Sequence, residues 1–178
     1  MRNARRIRYA ARAAPVVIRT ANASDASAIT ALWNNIIEDT SITFTTIPKT
    51  EDEIRQIIAD TARLVHVAQH NGAFAGFALV GPFRGGPGYA HTVEHTVYLH
   101  TSAQGNGLGS HLMHALMSAA IVAGHHVMVG AISGTNSSAI AFHKTIDFQN
   151  VGVIEQAGRK NGDWHDLVLM QKILQNAH

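Results

Sequence analysis

The segment Val97-Tyr-Leu-His-Thr-Ser-Ala-Gln-Gly-Asn-Gly-Leu-Gly109 decides the fold of this chain of 178 residues. It begins as a strand-like run, passes through a glycine-rich turn and continues into an amphipathic helix predicted over about 110–123. Glycines at alternating positions (Gly105, Gly107 and Gly109) let backbone N–H groups approach a ligand closely, since no Cβ stands in the way. The N-terminal end of a helix attracts anions. The segment therefore predicts a phosphate site between a strand and a helix.

The glycine pattern excludes two familiar phosphate loops. The Lys-Ser/Thr pair of a P-loop is absent, and Gly-x-Gly-x-Gly is not the Gly-x-Gly-x-x-Gly fingerprint of dinucleotide-binding folds. A strand-to-helix turn that simply requires glycine remains the alternative to a phosphate site.

The composition predicts one soluble globular domain. Apolar residues make up 46% of the chain and charged residues 15%, which are ordinary values for such a domain. The chain has no cysteine, which excludes disulfides, zinc-thiolate sites and cysteine nucleophiles. We expect a cytoplasmic protein. No run approaches the roughly 18 apolar residues of a transmembrane helix.

Positive charge is concentrated at the N-terminus. Five arginines and no acid lie in the first 15 residues, and the remainder carries nine Lys and Arg against twelve Asp and Glu. A nucleic-acid partner would require clustered cations on the fold itself, so none is expected. Residues 1–15 are predicted to be a disordered basic extension, with a targeting segment or a start-site extension as alternatives, and residues 16–178 a single domain.

Hydrophobic periodicity predicts elements in the order βααβββαβαββ. The predicted strands are 16–20, 64–69, 73–80, 92–100, 127–132, 148–156 and 164–173, and the predicted helices are 26–39, 51–63, 110–123 and 136–146. Capping residues precede the first two helices, at 22–25 and 50–53. This mixed order predicts an α/β fold with a central, mostly antiparallel twisted sheet flanked by helices.

The element order and the pattern Gln104-x-x-Gly107-x-Gly109 resemble the GNAT superfamily of acetyl-CoA-dependent N-acetyltransferases. Three further strings resemble its phosphinothricin and methionine sulfoximine/sulfone acetyltransferase group. They are Phe83-Arg84 with Tyr89-Ala-His-Thr-Val-Glu-His-Thr-Val-Tyr-Leu-His100, then Gly134-Thr-Asn-Ser-Ser-Ala-Ile-Ala-Phe-His-Lys144, and Trp164-His-Asp-Leu167. The resemblance covers about residues 16–174. It implies a homodimeric, metal-free enzyme that acetylates the α-amine of a small amino-acid analogue, with a role in antibiotic or herbicide resistance.

Glu94 is the predicted catalytic base. Side chains alternate along a strand, so Glu94 shares a face with Thr96 and Tyr98, while His95 and Val97 lie on the other. An amine must lose a proton before it attacks a thioester, and a carboxylate can accept that proton directly or through one water. The resemblance implies this role, and substrate contact, for Glu94. A solvated acid or a member of an ion pair is the alternative.

The resemblance also implies a binding site for the cofactor. The strand at Val97, Tyr98 and Leu99 would separate from its neighbour and hold the pantetheine arm through its backbone, and the glycine turn would cradle the pyrophosphate. Asn136 would contact the CoA arm, although it can equally cap the next helix. The implied set is Val97, Tyr98, Leu99, Gln104, Gly105, Asn106, Gly107, Leu108, Gly109, Ser110 and Asn136.

His143 occupies the position where many members of the superfamily carry a tyrosine that protonates the leaving thiolate. A histidine can donate a proton near neutral pH, and a histidine that merely packs the helix is the alternative. Asp147 stands where glycine is usual in these proteins, and Asp tolerates unusual backbone angles better than most residues.

Arg84 is the predicted partner for a substrate carboxylate, because a guanidinium can hold it with two hydrogen bonds. A solvated loop arginine is the alternative. Further basic residues of the group are missing at Gly85, Gly86 and Ala90, which predicts altered recognition of the amino acid. The set expected to contact substrate is Arg84, Gly85, Gly86, Glu94, His95, Thr96 and Phe44.

Three further functions are compatible with parts of the sequence. The segment His91-x-x-Glu94-His95 matches a metalloprotease pattern, but that chemistry needs a helix, and a strand separates the two histidines by about 13 Å. We therefore predict no metal site. A second candidate is a GNAT enzyme for a polyamine, an aminoglycoside or a protein N-terminus, and a third is a CoA-binding sensor without turnover.

Overall fold

A seven-stranded mixed sheet organises residues 15–174, the part of the chain that the computed structural model describes. The elements run β1 (Val16–Thr20), α1 (Ala26–Asp39), α2 (Glu51–Ala59), β2 (His66–His70), β3 (Ala73–Pro82), β4 (Thr92–Leu99), α3 (Leu108–Val122), β5 (Val127–Ser133), α4 (Ser137–Thr145), β6 (Gln149–Lys160) and β7 (Asp163–Ile173). The predicted order is confirmed. Nearly all of the predicted N-terminal extension lies outside the described residues.

The predicted capping residues act ahead of the first two helices: Asn22 caps the short turn Ala23–Asp25 that leads into α1, and Thr50 caps α2. Asn22 accepts a hydrogen bond from the Ser24 backbone N–H, and Thr50 accepts one from that of Glu53. The second helix ends at Ala59 and not, as predicted, near residue 63. Asp60 adopts an extended conformation there, and its side chain accepts from the Ala62 N–H, which starts a separate short turn.

Asn-Gly pairs form the two tight hairpins. Asn71 and Gly72 have φ of 54° and 77°, and Asn161 and Gly162 have φ of 53° and 92°. Positive φ at both central residues is the requirement of the turn whose twist matches paired strands. β6 extends beyond its predicted end because pairing with β7 resumes at Gly158 after a bulge that follows Ile154.

The sheet opens between its two central strands. Every neighbouring pair is antiparallel except β4 and β5, which run parallel and pair only at Thr92–Glu94 with Val127–Val129. Beyond Glu94, β4 continues along β3, whereas β5 pairs with β7 as far as Ser133. The gap is the separation of strands that the family resemblance implied.

Two apolar cores cover the two faces of the sheet. α3 packs Leu112 and Leu116 into one core, and α1 and α2 pack against Phe77 in the other. Val93 belongs to the α3 side and Tyr98 packs on the α1 side, which confirms the predicted alternation along β4. Within residues 15–174, no helix combines the length and apolar character needed to cross a membrane.

Candidate active site

A cavity of about 820 Å³ lies where β4 and β5 separate. Its lining combines β4, the glycine turn, α4, the end of β5 and the segment that follows α1. Most of the predicted site residues meet there. They are Phe44, Glu94, His95, Thr96, Val97, Tyr98, Leu99, Gln104, Gly105, Gly107, Gly109, Ser110, Asn136 and His143.

Five predicted site residues do not line this cavity. Asn106 is exposed on the glycine turn, and the Leu108 side chain is buried in the core beneath it. Arg84, Gly85 and Gly86 lie in an exposed bend after β3, where the Arg84 guanidinium stands 5.4 Å from the ring centre of Phe83.

The glycine turn leaves the start of α3 open to an anion. Gly107 precedes the helix with φ of 76°, and no side chain caps the first turn. The first backbone N–H groups of a helix have no partner within it, so they remain available to bind oxygen atoms. A Cβ added to Gly105 would meet nothing within 4 Å, which shows open space beside the turn. These features fit a diphosphate.

The third glycine has a different role. A Cβ on Gly109 would lie 3.2 Å from the Phe142 ring, so this glycine lets α3 pack closely against α4. At the start of α4, Asn136 accepts a hydrogen bond from the Ala139 N–H at 3.1 Å, which confirms that it caps the helix. Its contact with CoA stays a prediction.

Glu94 stands at the point where the strands part. It is the last β4 residue paired with β5, and it is half-buried on the α1 side of the sheet. Within the described residues, its carboxylate has neither an ion-pair partner nor a side-chain hydrogen bond. Burial raises the pKa of Glu94 above its usual value. A carboxylate with a raised pKa is a better proton acceptor near neutral pH.

On the opposite face, His95 and His143 form a buried pair. Their Nε2 atoms are 3.1 Å apart, and the rings stack with centres 5.0 Å apart. His143 Nδ1 lies 2.7 Å from the Ala139 carbonyl oxygen, which only accepts, so Nδ1 carries the proton. In the neutral ring, Nε2 of His143 then accepts from the Nε2–H of His95. Gly130 leaves room for the pair, since a Cβ there would lie 3.1 Å from His95 Nε2.

Both histidines are held in the neutral form. Burial lowers the pKa of His95 to about 3, and it lowers the pKa of His143 as well. Each ring proton is engaged, one by the Ala139 carbonyl and one by the partner ring. The predicted donation of a proton by His143 to a leaving thiolate therefore requires this arrangement to change.

The wall of the cavity on the α1 side contains residues that the sequence did not single out. Ile42 and Thr43 line it beside Phe44, and Leu167 contributes from β7. Trp33 of α1 packs against Phe77 and Tyr98. No short motif marks these positions, because they meet only through the sheet topology.

The His-x-x-Glu-His segment is extended and not helical. His91 lies in the turn before β4, with its Nδ1 2.8 Å from the Gly124 carbonyl oxygen, and His95 is on the strand. Among the residues described by the structure, no group of three or more His, Cys, Asp or Glu could hold a metal ion.

Residues 29–148 match the Acetyltransferase (GNAT) family. The chain belongs to this family. It is 35% identical over 162 residues to L-methionine sulfoximine/L-methionine sulfone acetyltransferase of Salmonella typhimurium, covering 88% of this chain and 93% of that protein. It is 34% identical to phosphinothricin N-acetyltransferase of Streptomyces viridochromogenes, covering 89% of this chain and 87% of that protein.

A solved structure gives the same fold. An acetyltransferase from Salmonella typhimurium, solved with its cofactor acetyl-CoA, superimposes with a TM-score of 0.86 at 32% identity, covering 92% of this chain and 96% of that one. The family and these relatives identify the protein as an N-acetyltransferase.

Proposed function

We propose that this enzyme transfers the acetyl group of acetyl-CoA to the α-amine of a small amino-acid analogue of the phosphinothricin, methionine sulfoximine or methionine sulfone type. The observation that carries the proposal is the position of Glu94. Its unpaired carboxylate lies beside the gap in the sheet, and the same cavity reaches the uncapped, glycine-rich start of α3. The names of the relatives support this class of substrate.

The residues that would hold the cofactor occupy one end of the cavity. Acetyl-CoA, when bound, supplies the acetyl group as a thioester. The N–H groups from Gly105 to Ser110 bind its diphosphate, and the free edge of β4 at Val97–Leu99 offers backbone groups to the pantetheine arm. Asn136 and Gln104 flank that path.

Glu94 supplies the base. It accepts a proton from the substrate ammonium, directly or through one water, and the free amine then attacks the acetyl carbonyl in a direct transfer. Backbone N–H groups near Val97–Leu99 stabilise the negative charge that develops on the carbonyl oxygen. The thioester C–S bond then breaks, the nitrogen releases its second proton to solvent, and the leaving thiolate takes a proton from water or from His143. The His143 route requires a change of tautomer or of partner, because both nitrogens of that ring are engaged.

The amine substrate would lie between Glu94 and the wall that contains Phe44, with Thr96 on the same face of β4. His95 would border the site from the opposite face, where it contacts His143. Arg84 would hold the carboxylate at the outer end, with Gly85 and Gly86 adjacent. A homodimer and a cytoplasmic location stay predictions. The half-exposed Val151 and Val153 on the edge strand β6 support the homodimer, since exposed apolar edges favour pairing between chains.

The substitution Glu94→Gln tests the proposed base. Loss of a general base lowers turnover by about 10²–10⁴-fold. We expect this fall in kcat for methionine sulfone, measured by release of free CoA thiol, with acetyl-CoA affinity in calorimetry changed less than about twofold. Glu155→Gln, which neutralises an exposed carboxylate on β6, is the control and should retain full activity.

Each alternative to the proposed base, substrate class or activity predicts a different experimental result. Near-normal turnover of Glu94→Gln across about pH 6 to 9 would assign the proton to water or to another group. Transfer to a polyamine, an aminoglycoside or a peptide N-terminus, but not to methionine sulfone, would replace the substrate class. Tight acetyl-CoA binding by the wild-type protein without transfer to any amine would indicate a sensor.

A further inference from the structure

Lys160, the last residue of β6, is a buried cation that the mechanism does not use. Its residue surface is only 3% exposed. Its Nζ donates hydrogen bonds to the carbonyl oxygens of Ile37 at 2.6 Å and Thr43 at 2.9 Å. Within residues 15–174, no carboxylate forms an ion pair with it. A buried charge without a counter-ion is costly unless polar groups satisfy it, so these two carbonyl contacts matter to the fold around them.

The Ile37 and Thr43 carbonyl groups lie on either side of the point at which the chain leaves α1. Ile37 belongs to the last turn of α1, whose carbonyl groups have no partner within the helix and favour a cation. Thr43 lies beyond that turn, in the segment that lines the cavity. A single ammonium group therefore fixes the path by which the chain leaves α1 and enters the cavity wall.

The β6–β7 hairpin also contacts the Phe44 ring and fixes its position. Gly158 is two residues before Lys160 on the same face of β6, and a Cβ there would collide with the Phe44 ring. His165, the register partner of Gly158 on β7, stacks on that ring with centres 5.6 Å apart and an angle of 19°. The hairpin thus contacts two consecutive residues of the wall. Lys160 donates a hydrogen bond to the Thr43 carbonyl oxygen. The absence of a Cβ at Gly158 makes room for the Phe44 ring, on which His165 stacks.

This wall faces the proposed amine. Residues 42–44, here called the acceptor wall, line the cavity that also contains Glu94, whose side chain is on the α1 side of the sheet. We propose that Lys160 is a positioning residue for amine binding, because its contacts with Ile37 and Thr43 hold the acceptor wall against the cavity. The inference rests on the proposed function, which places the amine at this end.

The substitution Lys160→Met removes the ammonium group and keeps much of the side-chain length. We expect the KM for methionine sulfone to rise at least about tenfold, since the substitution removes hydrogen bonds donated by a charged group. Acetyl-CoA affinity, measured by calorimetry, should change less than about twofold because the glycine turn is untouched. Lys160→Arg retains a cationic donor and should stay within about threefold of the wild-type KM.

Lys172→Met is the matched control. Lys172 Nζ also donates to a main-chain carbonyl, that of Ile146 at 2.8 Å, but at the end of α4 and away from the acceptor wall. This variant should leave the KM for the amine within about twofold. A loss of thermal stability in Lys160→Met with no change in KM would show that the residue only braces the fold. Parallel losses of amine and acetyl-CoA binding would also overturn the proposal.

Hydrogen–deuterium exchange separates this proposal from the proposed function, because it needs no substrate. Lys160→Met should accelerate exchange in peptides that cover the acceptor wall, whereas Lys172→Met should not. Unchanged exchange there would refute the positioning role even if methionine sulfone is not a substrate.

If Lys160→Met fails to fold, Lys160→Gln replaces it, because an uncharged amide is a weaker donor to the Ile37 and Thr43 carbonyl oxygens. Faster exchange at the acceptor wall than in the wild type would support the positioning role of Lys160, and unchanged exchange would contradict it.

Discussion

Acid should destabilise this enzyme through the buried histidine pair, and His95→Gln should remove a measurable part of that effect. The pKa of His95 is about 3 in the folded chain, against an ordinary value of 6.5. Below about pH 6.5 the unfolded chain binds a proton that the folded chain excludes. His95 therefore does not lower the free energy of unfolding above that pH, and stability is lost progressively as the pH falls from about 6.5 towards about 3.

The size of the effect follows from those two values. Between about pH 7 and about pH 5, exclusion of one proton by His95 destabilises the fold by about 2 kcal/mol. The lowered pKa of His143 acts in the same direction. The pair is surrounded by uncharged groups, since Phe148 meets both rings edge-on and Phe142 packs against His143.

Urea unfolding at about pH 7 and about pH 5 measures this contribution. Gln does not titrate, and its amide can still donate to His143 Nε2. As the pH is lowered over this interval, the free energy of unfolding should decrease in both proteins. The decrease should be smaller in His95→Gln than in the wild type, by about 2 kcal/mol. The Arg19–Asp25 pair holds the pKa of Asp25 below its usual value, so Asp25 stays ionised over this interval and contributes equally to both proteins.

His114→Gln removes an exposed histidine from α3 and should leave the pH dependence unchanged. If the wild type and His95→Gln lose stability equally between the two pH values, the pair is not held neutral by burial and the argument fails.

Two substitutions test the predicted diphosphate site and the predicted partner for the substrate carboxylate, each with a matched control. Gly107→Ala should weaken acetyl-CoA binding at least about tenfold in calorimetry, whereas Gly72→Ala, with nearly the same φ of 77°, should affect stability alone. A Cβ on Gly107 would make only an ordinary contact with His111 at 3.9 Å, so crowding does not distinguish the two variants. Equal affinities for both variants would reject the diphosphate site. Arg84→Ala should raise the KM for methionine sulfone by about ten- to hundredfold and spare a simple amine without a carboxylate. The control is Arg159→Ala, which removes another guanidinium that lies over an aromatic ring and should change neither KM. If Arg84→Ala instead lowers activity equally for both substrates, Arg84 shapes the loop and does not bind the carboxylate.

The features that could be predicted from the sequence depend on neighbours in the chain. Asn-Gly at 71–72 and 161–162 specifies its turn through backbone angles alone, and Thr50 with Glu53 specifies a helix start. The glycine turn before α3 is likewise local. Alternation of side chains along β4 is sufficient to predict that Glu94 and His95 lie on opposite faces of the sheet.

The features that could not be predicted join distant parts of the chain. Lys160 and Thr43 are 117 residues apart, and His95 and His143 are 48 apart. The Lys160 contact depends on the order β5-β7-β6 at one side of the sheet, and the histidine contact depends on the packing of α4 beside β4. No local pattern specifies either arrangement. The predicted role of Arg84 rests on proximity in the sequence and stays a prediction, since Arg84 does not line the cavity. Arg84 is close to Glu94 in sequence, but Pro82 pairs with Val93, so the loop leaves the sheet at the end of β4 that lies away from the gap.

The register of β4 explains why neighbouring residues carry such different chemistry. Glu94 and His95 stand where the parallel pairing with β5 stops, and burial shifts their pKa values in opposite directions, each towards the neutral form. A shift of one residue in this strand would exchange the two faces. It would place a neutral histidine at the amine and a carboxylate against His143, where no cation is available among the described residues. In the observed register, the absence of a Cβ at Gly130 leaves room for the His95 ring, and Glu94 remains on the face of the proposed amine site.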